Sequence, residues 1–174
     1  MRRVAAIIAL AMLGAGCGAN TDADAGGDES PAVSKESLQA DIADRLAESG
    51  ESARSVTCRN DLVGEIGRTA RCDVVISDTN GFQPIVTVTK VDGSAVDYAL
   101  TPALSQAQLE DAVARLVAEN TGAPADSVAC ESGLVGEVDG IAHCDVDAGG
   151  ERHRRGVQVT DVTGLTMTYA LTSG

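Results

Sequence analysis

Val56-Thr57-Cys58-Arg59-Asn60-Asp61-Leu62-Val63-Gly64-Glu65 returns 72 residues later as Val128-Ala129-Cys130-Glu131-Ser132-Gly133-Leu134-Val135-Gly136-Glu137. The match runs outward in both directions. Leu38, Ile42, Cys72, Val86, Val88, Gly93 and Tyr98 answer to Leu109, Val113, Cys144, Val157, Val159, Gly164 and Tyr169. Self-similarity at a fixed period decides architecture before any propensity argument, because each copy must be one structural unit. The reading is therefore two tandem modules, at residues 34–101 and 105–174. Residues 1–16 precede them as a signal peptide and 17–33 as a disordered acidic tether.

Within a module the apolar spacing changes period. Leu38, Ile42 and Leu46, matched by Leu109, Val113, Leu116 and Val117, predict one amphipathic helix at the start of each copy. Ser34 offers an N-cap, and Ser105 with Gln108 a capping box. Gly50 and the stretch from Gly122 to Pro124 stop the helices. Alternating residues then predict short strands: one at Val56 to Cys58 or Val128 to Cys130, and one from Cys72 or Cys144. Two more follow at 85–91 and 95–101, or 157–162 and 166–172. Turn residues Asn80-Gly81, Asp92-Gly93, Gly149-Gly150 and Thr163-Gly164 join them. The expected fold is α+β: two tandem repeats, each an N-terminal helix packed on a roughly four-stranded antiparallel sheet, with one internal disulfide. The outer sheet face carries Asp73, Thr87, Thr89 and Asp97, or Asp145, Gln158, Thr160 and Thr168, and is expected to be wet.

Modules of roughly 70 residues bury a low fraction of their surface and are marginal without a covalent or metal staple. Here there is no Trp and only one Phe, Phe82, so aliphatic side chains must supply the core. The chain has five cysteines. Pairing Cys58 with Cys72 and Cys130 with Cys144 leaves one over; crossed pairing between modules is the alternative. The spacing within each pair is too long for the close Cys-x-x-Cys of a zinc or thioredoxin-like site.

The fifth, Cys17, follows Arg2 and Arg3, an apolar run from Val4 to Leu13, and Gly14-Ala15-Gly16. These are the parts of a signal peptide, and the apolar run is too short to span a bilayer. The layout resembles that of bacterial lipoproteins, which implies that Cys17 carries diacylglycerol as the mature N-terminus. Gly14 stands where that pattern has an aliphatic residue. The expected location is the extracytoplasmic face of the cell membrane, with secretion as the alternative.

Helix, Val-x-Cys, Leu-Val-Gly-Glu, Cys-Asp-Val, Val-x-Val and a closing Tyr-x-Leu, in that order and twice over, resemble the domain of unknown function family 4333. That resemblance implies a disulfide-bonded module in an exported, actinobacterial envelope setting. It implies no activity.

The formal charge is −13, which disfavours nucleic acid, whose binding draws on clustered Lys and Arg. No residues stand out as an acid, base and nucleophile set, so no catalytic residue, metal or cofactor is assigned. His143 and His153 are the only histidines, and an enzyme using them is the least favoured reading. Asp73 and Asp145 recur after a cysteine, as module geometry alone would require. The sharpest local feature is Glu151-Arg152-His153-Arg154-Arg155, a basic run in the more acidic copy. Arg152, His153, Arg154 and Arg155 are candidates for an anionic headgroup, an acidic partner or the first module. They also suit a charged hairpin edge that deters strand addition. The preferred expectation is a non-enzymatic, lipid-anchored protein binding an envelope protein or cell-wall component. The alternative is a proteinaceous enzyme inhibitor, similar in tandem layout to the beta-lactamase inhibitor proteins of filamentous actinobacteria but lacking their aromatic-rich surface.

Overall fold

A computed structural model describes residues 30–173. The expected signal peptide, Cys17 and most of the expected tether lie outside the described residues. The first module runs β1 (Ala32–Val33), α1 (Lys35–Glu48), β2 (Ser55–Cys58), β3 (Leu62–Val63), β4 (Thr69–Val75), β5 (Gly81–Phe82), β6 (Ile85–Asp92) and β7 (Ala95–Thr101). The second repeats it as β8 (Ala103–Leu104), α2 (Gln106–Thr121), β9 (Ser127–Cys130), β10 (Leu134–Val135), β11 (Ile141–Ala148), β12 (Glu151–Thr163) and β13 (Thr166–Ser173). The sheets are antiparallel, ordered β2-β4-β6-β7 with β5 on β4, and β9-β11-β12-β13.

Both helices start where their caps predict. The Ser34 hydroxyl accepts from the Ser37 amide, and Ser105 and Gln108 form the reciprocal capping box. Gly122 closes α2 in the left-handed conformation at φ 75°, which glycine adopts without Cβ strain. Leu38, Ile42 and Leu46 are buried on one stripe of α1, and Leu109, Val113 and Val117 on the matching stripe of α2. They pack against the inward residues of the sheets, among them Val74, Val86 and Val88 in the first module and Val146, Val157 and Val159 in the second. The cysteines pair within modules. Cys58 faces Cys72, and Cys130 faces Cys144, as directly opposed residues of neighbouring strands, each with 3.9 Å between Cα atoms.

Three elements differ from the expectation. Residues Ala32–Val33, assigned above to the tether, form β1 and pair with Leu62–Val63, as β8 pairs with β10. The amide of Gly64 donates to the Pro31 carbonyl and that of Gly136 to Pro102, so the fold repeat begins three residues before the helix cap. In the first module the turn after β4 spans Ile76 to Asn80, closed by the Ile76 and Ser77 amides on the Asn80 carbonyl, instead of the two-residue Asn-Gly form. Finally, β12 begins at Glu151, well before residue 157, because Gly149 and Gly150 at φ 61° and 82° make a tight turn that lets the strand pair with β11 along its whole length. Its counterpart in the first module is split into β5 and β6 at Gln83-Pro84, since proline has no amide to give the ladder.

The helix also guards one sheet edge in each module. Gln39 Oε1 accepts from the Cys58 amide at 3.0 Å, and Glu110 Oε1 from the Cys130 amide at 2.9 Å. Strand groups that would be open to another chain are thereby occupied.

After each Leu-Val-Gly-Glu turn the backbone enters the left-handed region once more. Gly67 does so at φ 85° and Asp139, at the matching position, at φ 68°; their amides donate to Val88 and Val159 carbonyls. Asp is among the few side chains that tolerate this conformation, and Asp139 Oδ1 accepts from Gln158. Gly67→Ala is expected to cost about 1–2 kcal/mol in chemical denaturation despite open space around the added methyl. Asp139→Gly should be close to neutral.

Candidate functional site

β-strand alternation divides the basic run between two faces. Arg152 and Arg154 point to the outer face, opposite Asp147 and Asp145 on β11. Arg152 holds Asp147 with two bonds of 2.8 and 2.9 Å, and Ser127 donates to the same carboxylate at 2.9 Å. Arg154 reaches Glu131 at 2.5 Å and lies 4.0 Å from Asp145. These two arginines are therefore occupied by the module's own acids. Their hydrogen bonds raise both guanidinium pKa values, and that from Arg152 pulls Asp147 down to about 2. A folded value below the unfolded one means that the pair's contribution is complete above the ordinary carboxylate range and disappears as pH falls through about 2. Carboxyl NMR should find the Asp147 midpoint near there, and Arg152→Ala should return it toward about 4.

The recurrence of Asp73 and Asp145 has the same cause. In the first module Asp73 lies between Arg59, 3.6 Å away, and the Gln83 amide group at 2.6 Å. The corresponding positions in the second module hold Asp145, Glu131 and Arg154. The aspartate is kept while the arginine moves from one flank of it, Arg59, to the other, Arg154, within one cross-strand cluster on the outer face.

His153 and Arg155 face the other way, toward the end of α2. With Val117, Thr121, Ala148 and Leu171 they line a cavity of about 390 Å³. Glu151 lies 3.6 Å from the His153 ring. Arg155 has no ion-pair partner among the described residues. His143 is elsewhere, on the outer face opposite Gly156, so the two histidines are not brought together. Its Nδ1 is buried without a hydrogen-bond partner.

The first module treats the same place differently. Phe82 and His153 are equivalent by register, since Phe82 pairs with Val74 and His153 with Val146. Phe82 is 8% exposed and faces the second module, and Pro84 is buried; His153 and Arg155 are exposed. The facing surfaces enclose a junction cleft of about 180 Å³ between Leu46, Ile76 and Phe82 on one side and Leu104, Ala112, Arg115, Met167 and Tyr169 on the other. The Gln83 amide, released from the ladder beside Pro84, donates to the Ala103 carbonyl across this junction at 2.7 Å. Burial raises the Tyr169 pKa against the opposing influence of Arg115. Its counterpart Tyr98 is raised by burial and by Asp41, to which its hydroxyl donates at 3.1 Å.

Two helices with antiparallel sheets, paired twice over and each closed by its own disulfide, agree with comparison to known families: the model of the domain of unknown function DUF4333 matches residues 13–93 and again 95–164. The chain belongs to the DUF4333 family. No curated protein and no solved structure matches it. The two DUF4333 copies differ most in what occupies the end of the helix-sheet layer. Sequence reading singles out the basic run but misses the junction and the cavity, because it compares what the copies share. The informative signal lies in what they do not share: Phe82 against His153, Pro84 against Arg155, and Asp41 and Asp44 against Ala112 and Arg115.

Both copies also expose an apolar pair after the short third strand, Val63 with Ile66 and Val135 with Val138. Such isolated side chains are ordinary on a protein surface, and being common to both modules they do not distinguish them. No helix of the described residues is long and apolar enough to cross a membrane.

Proposed function

We propose that this protein is a lipid-anchored, non-enzymatic binding protein of the cell envelope, in which the second module holds an anionic group of an extracytoplasmic protein or cell-wall component at His153 and Arg155. One observation carries the reading: a position that the first module fills with Phe82 and Pro84 is, in the second, an open cavity lined by a cation with no acid of its own. An exposed guanidinium beside apolar walls offers a carboxylate both a bidentate partner and partial shielding from water. Arg152 and Arg154 serve the module itself and leave Arg155 as the group available to a ligand.

The test is cross-linked capture from intact cells and co-sedimentation with purified cell wall, using the full chain and two variants. Arg155→Glu is expected to lose whatever the native chain retains, and Arg152→Ala to keep it. Equal retention by the native chain and Arg155→Glu, or no retention by either method, would overturn the reading. The inhibitor alternative predicts instead that some hydrolase is slowed by the purified chain.

A further inference from the structure

The two modules treat one tyrosine differently. In the first, the Asp41 carboxylate accepts from the Tyr98 hydroxyl at 3.1 Å and from the Arg45 guanidinium at 2.9 Å. Tyr169 repeats Tyr98, but the residue that repeats Asp41 is Ala112. The helix of the second module has Leu116 where the first has Arg45, and carries its arginine one place earlier, at Arg115. A tyrosine and an arginine are kept while the acid they share is gone. Arg115 lies close enough to Tyr169 to oppose the effect of burial on its hydroxyl, which has no hydrogen-bond partner among the described residues. Nor does Arg115 have an ion-pair partner among them.

Both side chains line the junction cleft, whose apolar walls come from Leu46 and Phe82 of the first module and Leu104 and Met167 of the second. Its volume of about 180 Å³ is near the roughly 150 Å³ of an apolar cavity that takes benzene, so it admits a body of about six carbons. A guanidinium and a phenol hydroxyl beside such walls are best satisfied together by a carboxylate, which accepts from both at once. Glu51, the one acid among the lining residues, is exposed and forms no ion pair with Arg115. Arg115 is itself exposed, so a ligand can reach it from solvent.

We infer that the junction cleft binds a small monocarboxylate with an apolar body of about six carbons, its carboxylate taking beside Arg115 and the Tyr169 hydroxyl the place that Asp41 fills in the first module. This goes beyond the proposed function, since the cleft shares no residue with the cavity at His153 and Arg155. Loss of the one binding leaves the other as it stands. Because the walls come from both modules, an occupant ties one to the other and stabilises the pair.

Hexanoate titrated into the purified full chain, followed by NMR of the Ile76 and Met167 methyl groups in the cleft, tests this. The native chain is expected to saturate with a dissociation constant of about 1 mM or tighter. Acetate lacks the apolar body and 1-hexanol the charge, and each should bind about tenfold more weakly or worse. Tyr169→Phe and Arg115→Gln each remove one donor and should weaken hexanoate by about tenfold while leaving 1-hexanol unchanged. Ala112→Asp installs the acid of the first module and should abolish hexanoate binding. Ala112 is buried, so if that variant fails to fold, the other two decide. No saturable shift up to about 10 mM hexanoate, equal binding of 1-hexanol and hexanoate, or native-like hexanoate binding by any folded variant of the three would overturn the inference.

Discussion

Replacing Cys58 and Cys72 together by alanine is expected to cost about 3 kcal/mol of stability and to lower the melting temperature by roughly 10–20 °C. The closed loop is short, with a sequence separation of 14, yet the loss is large relative to what a small module holds in reserve. The core explains why. Its buried apolar side chains are Leu, Ile, Val and Ala apart from the cysteines, Pro84 and a single aromatic ring, Phe82, which also lines the junction. Aliphatic side chains bury less area than aromatic ones, so little margin remains once conformational entropy is offset. The bridge joins residues that already oppose each other across β2 and β4, and it stabilises mainly by restricting the unfolded chain. Calorimetry of the double variant gives the value directly. A change below about 1 kcal/mol would mean that strand pairing alone holds these ends.

Gly136→Ala is expected to cost about 1–3 kcal/mol and, in addition, to loosen one module from the other. A Cβ at Gly136 would come 2.6 Å from the Pro102 carbonyl oxygen and 2.7 Å from its Cγ. Backbone cannot yield there without breaking the pairing of β10 with β8, and β8 supplies the Ala103 carbonyl that receives Gln83 across the junction. Gly64→Ala meets the same obstruction from the Pro31 carbonyl. In that copy the disturbed strand is β1, which does not line the junction, so the junction should survive. A thermogram that stays a single transition for Gly64→Ala and separates into two for Gly136→Ala would bear out this asymmetry. Identical thermograms for the two variants would refute it.

The helices and the stapled strands were legible because their signals are periodic and repeated. Leu38, Ile42 and Leu46 state a helical face, and the opposed cysteines follow from a hairpin whose register places position 58 against 72. The two-residue strands β1 and β8 were not legible, since a pair of residues has no period; Pro31-Ala32-Val33-Ser34 against Pro102-Ala103-Leu104-Ser105 is their only trace. The length of β12 was hidden as well. Four charged residues around a histidine do not resemble a strand until the acids that neutralise its outer face, Asp147, Glu131 and Asp145, are brought near by folding. The junction lies further still from sequence, because it depends on where the end of one module meets the start of the next. Only the departures from repetition mark it.

Each module closed by its own sulfur bridge is the claim on which the rest stands. Peptide mapping of the native chain, digested without reduction by trypsin and by a glutamate-specific protease, examines it most directly. Arg59, Arg68 and Arg71 allow cleavage between Cys58 and Cys72, and Glu131 and Glu137 between Cys130 and Cys144. The expected result is a linked pair of fragments joining Cys58 to Cys72 and another joining Cys130 to Cys144. Fragments that join Cys58 or Cys72 to Cys130 or Cys144, or four free thiols, would contradict it.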